Sequence, residues 1–158
     1  MQTQIPLNKI IGDNFIAGKW TKGEDGTLEV TSPYTGKVIG SVSIPSVKQV
    51  NDAIKFAHEK QIEWGRTPMK ERAKVLFDFR NILLRDIDSI AHLKASESGK
   101  TFAEGKAGLM KGIEVLEFAL SIQNLDLGGK VEVSRGVSCE YRRESLGVIA
   151  NITPFNFP

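Results

Sequence analysis

An α/β fold is predicted by three features of the sequence. Residues 146–152, Leu-Gly-Val-Ile-Ala-Asn-Ile, are uncharged and rich in aliphatic and β-branched side chains. That is the composition of a strand buried on both faces of a parallel sheet. Between about residues 46 and 120, apolar side chains recur at helical spacing in four successive segments, each with a start or stop signal. On either side of these helices, over 15–44 and 129–142, apolar and polar residues alternate in twos, as half-buried strands do.

The first strands surround two turns. Phe15 to Trp20 is apolar and aromatic, and Gly23-Glu24-Asp25-Gly26 leads into Leu28-Glu29-Val30, so the two runs are expected to form a hairpin. Ser32-Pro33-Tyr34-Thr35-Gly36 is the second turn. Residues 37–44 then alternate, with Val38, Val42 and Ile44 on one face, until Pro45 ends the strand. A small antiparallel meander is the expected result.

Four helices follow. Ser46 with Gln49 reads as a capping box, and Val47, Val50, Ile54, Ala57 and Trp64 continue the first helix. Thr67-Pro68 reads as a cap and first-turn proline opening the second, which reaches about Arg85. Its apolar residues, from Ala73 to Leu84, spread around the cylinder and predict burial on more than one side. Asp86 or Asp88 can start the third helix, which stops at Ser98-Gly99. Thr101 with Glu104 caps the fourth, whose stripe is Leu109, Ile113, Leu116 and Leu120. Gly105, Gly108 and Gly112 share roughly one side of it. Each costs a helix about 1 kcal/mol relative to Ala, which predicts the close passage of another backbone. After Gly128-Gly129, Val131, Val133, Val137, Cys139 and Tyr141 fall on one face of two strands broken at Arg135-Gly136.

Composition narrows the function. At 158 residues the chain has the size of one ordinary domain, and 41% hydrophobic with 25% charged residues describes a globular protein. The net charge is +2 with the two signs interleaved, so neither nucleic acid nor an anionic membrane is indicated as a partner. No run approaches the roughly 18 apolar residues of a membrane span, and residues 1–8 lack the apolar centre of a signal peptide. One cysteine permits no intrachain disulfide, and the cytoplasm is the expected compartment.

Few side chains suggest chemistry. Cys139, mid-strand between Val137 and Tyr141 on one face, reads as a small buried hydrophobe rather than a nucleophile. His58 and His92 lie on separate helices without ligand spacing and read as surface residues. Glu97, Glu104, Glu114 and Glu117 read as solvated faces and helix starts, and Arg142-Arg143 as a strand-end charge pair. Asn156 is different. Thr153-Pro154 should end the preceding strand, and ligands in open α/β sheets sit at the carboxyl ends of strands. An amide N–H held there can donate to the oxyanion formed when a nucleophile adds to a carbonyl. Asn is equally a common turn residue, and the residue types alone leave both readings open.

Ile152-Thr153-Pro154-Phe155-Asn156-Phe157-Pro158 resembles the motif that opens the cofactor domain of the NAD(P)-dependent aldehyde dehydrogenase superfamily. The resemblance extends to Phe15-Ile16-Ala17-Gly18-Lys19-Trp20, Ser32-Pro33-Tyr34-Thr35-Gly36, Glu97-Ser98-Gly99-Lys100, and Gly112-Ile113-Glu114 with Glu117-Phe118-Ala119, in the family's order. Phe155, where many members carry Trp, together with Gly112-Ile113-Glu114, gives the chain the flavour of the methylmalonate-semialdehyde dehydrogenases.

The resemblance implies the N-terminal part of that fold. Residues 1–128 would be the first part of the cofactor-binding domain: an antiparallel meander and a four-helix segment. Residues 129–145 would be two strands of the oligomerisation domain, and 146–158 the first strand and loop of the Rossmann-like cofactor site. It implies that Asn156 is the oxyanion donor and that Ile152, Thr153, Pro154 and Phe155 line the cofactor. NAD is preferred over NADP, with coenzyme A or water as acyl acceptor. A small aldehyde, here a semialdehyde, would be the substrate, and a homo-oligomer, dimer or tetramer, the assembly. The family's cysteine nucleophile and general base lie beyond residue 158, so the chain is expected to be a truncated portion without activity of its own. The competing expectation is a noncatalytic module that docks on a full-length subunit.

Overall fold

The structure, a computed structural model, describes residues 10–124 and 128–157. The reading of residues 1–8 lies outside them. Seven short strands and four helices follow one another: β1 (Ile10–Gly12), β2 (Asn14–Ile16), β3 (Lys19–Thr21), β4 (Thr27–Thr31), β5 (Val38–Ser43), α1 (Val47–Arg66), α2 (Met69–Arg85), α3 (Ile87–Ser98), α4 (Phe102–Leu120), β6 (Gly129–Ser134) and β7 (Val137–Tyr141). A 3₁₀ turn, Ser121–Asn124, prolongs α4.

The first strands pair differently from the expected meander. β2 and β3 form their own hairpin about Ala17 and Gly18, both at positive φ (53° and 79°), the requirement of a two-residue hairpin turn. Phe15 and Trp20 face each other across it with ring centroids 5.1 Å apart. The stretch at Gly23–Gly26 is therefore no hairpin turn. It lies against the end of β5 instead, where Asp25 N donates to Ile44 O and Ile44 N to Gly26 O. Gly23 passes so close that a Cβ would sit 2.1 Å from the Ile44 carbonyl oxygen. β4 pairs with β5 antiparallel, as expected, but β1 joins the other edge of β5 in parallel, giving the order β1-β5-β4. Ser43 is the buried residue of β5, its hydroxyl accepting from Gly23 N and Asn14 Nδ2, while Val38, Val42 and Ile44 are exposed.

Both predicted capping boxes form. Ser46 Oγ accepts from Gln49 N while Gln49 Oε1 accepts from Ser46 N, and Gln49 Nε2 also donates to Lys22 O, tying α1 to the strand layer. Thr101 and Glu104 repeat the reciprocal pattern at α4. Thr67 does not cap α2. Its backbone N–H closes α1 on Trp64 O, and its hydroxyl reaches back to Glu63 O, leaving Pro68 at the N-cap position of α2. A threonine between two helices can serve only one of them, and here the preceding helix, α1, takes it.

The core lies among α2, α3 and α4, around Ala73, Ala91, Ile113 and Leu120. The α4 stripe is as expected: Ile113 and Leu120 are buried, Leu109 and Leu116 half-buried. Gly105 explains itself, since a Cβ there would lie 2.9 Å from Ala91 O. Gly108 instead faces the Lys94 side chain, and Gly112 faces open space, so only one of the three glycines marks a backbone crossing. Burial of α2 on several sides is not seen: Ala73 alone is buried, and Val75, Phe77, Phe79 and Ile82 stand exposed. Its second apolar face has no covering element among the described residues.

Two further expectations of burial fail for the same reason. β6 and β7 form the predicted antiparallel ribbon, turning at Arg135-Gly136 with Gly136 at φ 78°, but every residue of β7, Cys139 included, is exposed. A two-stranded ribbon has two faces, and neither is covered. Residues 146–152, expected as a buried strand, lie in no helix and no sheet. A parallel strand needs neighbours to accept its ladder bonds, and no described strand lies beside it.

Candidate functional site

The closing segment is held to the helices at two places. Ser145 packs on α1: its hydroxyl donates to Gln61 Oε1 at 3.2 Å, and a Cβ on Gly65 would lie 3.1 Å from Ser145 Cβ. Gly147 N donates back to Ser145 Oγ at 3.3 Å, and the chain turns again at Pro154. Phe157 N donates to Pro154 O at 3.1 Å, which closes a four-residue turn with Phe155 and Asn156 at its centre. The Asn156 carbonyl accepts from Lys100 Nζ at 2.5 Å, and the same ammonium stands 4.7 Å from the centroid of the Phe157 ring.

Lys100 reaches this turn from a junction fixed on both sides. Gly99 ends α3 in the left-handed conformation (φ 70°), and a Cβ there would lie 2.9 Å from Pro33 Cγ in the Ser32–Gly36 turn. Thr101 begins α4. Glu104 Oε2 accepts from both Thr101 N and Oγ1, and these bonds, the backbone one foremost, hold the Glu104 carboxyl below the usual glutamate range. The motifs at 32–36 and 97–100, far apart in sequence, thus meet. Between them is an open cleft of about 520 Å³ lined by Ser32, Tyr34, His92, Ser96, Lys100 and Phe102 among others.

Ile152, Thr153, Pro154, Phe155 and Asn156 are all exposed; Ile152 is 98% and Phe155 93% accessible. These five residues lie together on one solvent-facing segment. Cys139 lies in β7, paired in register with Val131. His58 and His92 are exposed on α1 and α3, as expected, and His92 stacks on Phe102 with centroids 4.3 Å apart. Three of the four glutamates have structural partners: Glu114 pairs with Lys111, Glu117 with Arg80 across α2 and α4, and Glu104 caps its helix, while Glu97 is exposed on α3. Arg142 pairs with Glu144 at 2.6 Å. Among the described residues no group of three or more His, Cys, Asp or Glu could hold a metal ion.

What the segment offers is an amide donor and an apolar strip of Ile152, Pro154 and Phe155. Such a strip suits the face of a nicotinamide ring. Neither G-x-G-x-x-G nor the P-loop pattern, either of which would cradle a pyrophosphate, can be written on the sequence. Sequence reasoning missed the Lys100 contact altogether, although both partners lie in segments it had singled out.

The α/β chain closes on an apolar segment that ends in a turn carrying Asn156. Comparison with known proteins gives the family. The sequence matches the aldehyde dehydrogenase family over residues 20–158, and the chain belongs to it. The malonate-semialdehyde dehydrogenase of Bacillus pumilus (strain SAFR-032) is 37% identical over 147 residues, covering 92% of this chain and 30% of the relative. Among solved structures, methylmalonate-semialdehyde dehydrogenase from Oceanimonas doudoroffii superposes with TM-score 0.85 at 32% identity, over 90% of this chain and 29% of that one. A Sinorhizobium meliloti 1021 protein assigned as a methylmalonate-semialdehyde dehydrogenase, solved with NAD, gives TM-score 0.87 at 30% identity, over 96% and 31%. The chain thus spans about a third of the length of the relatives it matches, in the N-terminal part of their fold. No helix among the described residues is long and apolar enough to cross a membrane.

Proposed function

We propose that these residues form the N-terminal portion of an NAD(P)-dependent aldehyde dehydrogenase that oxidises a small semialdehyde to an acid or an acyl thioester. The observation that carries this reading is the exposed Pro154–Phe157 turn presenting Asn156 at the end of an apolar segment, in a chain of this family. The division of labour follows. A cysteine thiolate from the remainder of the protein adds to the aldehyde carbonyl, forming a thiohemiacetal. The Asn156 amide donates to the oxygen on which negative charge develops. Ile152, Thr153, Pro154 and Phe155 line the nicotinamide end of the cofactor, and their apolar surface excludes water from the reacting carbonyl. The nicotinamide, when bound, supplies a hydride acceptor, with NAD preferred over NADP.

The names of the relatives direct the substrate toward malonate or methylmalonate semialdehyde, with coenzyme A or water receiving the acyl group and the protein acting in the cytoplasm. The β6–β7 ribbon, exposed on both faces, is the surface offered to further copies in a homo-oligomer, a dimer or tetramer.

The test is NAD(P) reduction by the product of the complete coding frame, with three-carbon semialdehydes as substrates and with coenzyme A present or withheld. Aldehyde-dependent reduction is expected from it and none from residues 1–158 alone. Absence of reduction with every aldehyde overturns the proposal. Turnover by residues 1–158 that is lost on replacing Cys139 would make that exposed thiol the nucleophile.

A further inference from the structure

We propose that Lys100 is a positioning residue for the Asn156 donor, setting the direction of the amide by holding the backbone that carries it. The inference rests on the oxyanion role proposed for Asn156 and adds to it.

Three observations combine. Asn156 is the third residue of a turn closed by a single backbone hydrogen bond, Phe157 N to Pro154 O, which leaves the orientation of its peptide planes to whatever else grips them. The grip is on the carbonyl of Asn156 itself: Lys100 Nζ donates to it at 2.5 Å and also faces the Phe157 ring at 4.7 Å. One ammonium thus engages the peptide that follows Asn156 by its oxygen and by the next side chain. A charge-assisted bond and a cation–π contact from one group define a direction that either alone would leave loose.

The anchor is itself rigid. Lys100 is one residue long as a linker, between the left-handed Gly99 that ends α3 and the Thr101–Glu104 box that begins α4. Pro33 abuts Gly99, so the Ser32–Gly36 turn braces the same point. The contact spans 56 residues of sequence and joins the α3–α4 junction to the closing turn. Were Lys100 only a solvated charge, nothing would require its side chain to cross to a carbonyl. Misplacement of a reacting group by about 1 Å can cost on the order of 100-fold in rate, so a residue that fixes a donor without touching substrate can still govern turnover.

The experiment compares Lys100→Met, Lys100→Arg, Asn156→Ala and the Lys100→Met/Asn156→Ala pair in the product of the complete coding frame, with kcat and the KM for NAD measured separately. Lys100→Met should lower kcat about 10- to 100-fold with the KM for NAD little changed, and Lys100→Arg should recover much of the loss. The double variant should be no slower than Asn156→Ala, because a misdirected amide and a missing one fail at the same step. In parallel, the carbonyl ¹³C resonance of Asn156 should move in Lys100→Met and remain in Lys106→Met. Additive losses, or an Asn156 resonance indifferent to Lys100, overturn the positioning role. If Asn156→Ala leaves turnover intact, the oxyanion reading itself has failed, whatever Lys100 does. Should Lys100→Met not fold, Phe157→Leu, which removes the ring and keeps the lysine, carries the same kcat and resonance comparison.

Discussion

Alanine at Gly105 and alanine at Gly112 should move stability in opposite directions, although both replace a glycine inside α4. In an unpacked helix either substitution stabilises by roughly 1 kcal/mol, because alanine gives up less backbone entropy. At Gly112 nothing lies within 4 Å of the new methyl group, so that gain stands. At Gly105 the methyl would meet Ala91 O at 2.9 Å, with Ala95 Cβ at 3.6 Å behind it. A backbone oxygen cannot swing aside as a side-chain tip can, so α3 and α4 must separate by a few tenths of an ångström. Overpacking of this kind costs about 1–3 kcal/mol, which outweighs the propensity gain. The two variants should therefore differ by roughly 2 kcal/mol. For a chain of this size, that is a gap of about 4–8 °C in melting temperature. Urea and thermal unfolding followed by circular dichroism measure it. Equal stabilisation by both alanines would mean that α3 does not cross α4 at Gly105, and the packing around Ala91 would have to be redrawn.

Other perturbations probe the junction that carries Lys100. Thr101→Ala removes one half of the α4 capping box and should cost about 0.5–2 kcal/mol, read from the same unfolding curves; Thr101→Ser should restore most of it. The Glu104 carboxyl is held below its ordinary range by its bonds to Thr101, so its contribution is fully present above the unfolded-state value and is lost as pH falls through the lower folded-state one. Acid titration by NMR should show the first turn of α4 loosening in that window, and Glu104→Gln should abolish the pH dependence of that turn. Gly99→Ala places a side chain at φ 70° and against Pro33 Cγ at 2.9 Å. It should destabilise by about 1–2 kcal/mol, and an unchanged melting temperature would argue that Gly99 is not the left-handed end of α3.

Local signals in the sequence were legible and nonlocal ones were not. The boxes at Ser46–Gln49 and Thr101–Glu104 are complete within four residues, and the turn at Arg135-Gly136 needs only a glycine at positive φ, so each could be read in place. Thr67 had two helices to serve, and nothing nearby decided between them. The parallel pairing of β1 with β5 joins Ile10–Gly12 to residues 30 positions later and leaves no local pattern at either end. Burial failed wherever the partner surface is absent from the described residues: the second face of α2, the ribbon with Cys139, and residues 146–152. These segments have the composition of buried structure and nothing to be buried against. At the site, Asn156 and its neighbours were singled out by a strand-like run ending in Thr153-Pro154 and by likeness to a family. Lys100 escaped because neither segment indicates that it touches the other.

The first turnover of Asn156→Ala, in the product of the complete coding frame, tests the central claim most directly. Rapid mixing with aldehyde and saturating NAD should show the burst of NADH slowed by about 100- to 1,000-fold, as for the loss of one oxyanion donor, with NAD affinity preserved. A burst at the unmodified rate would contradict the assignment of Asn156 and leave the turn at Pro154–Phe157 without a catalytic role.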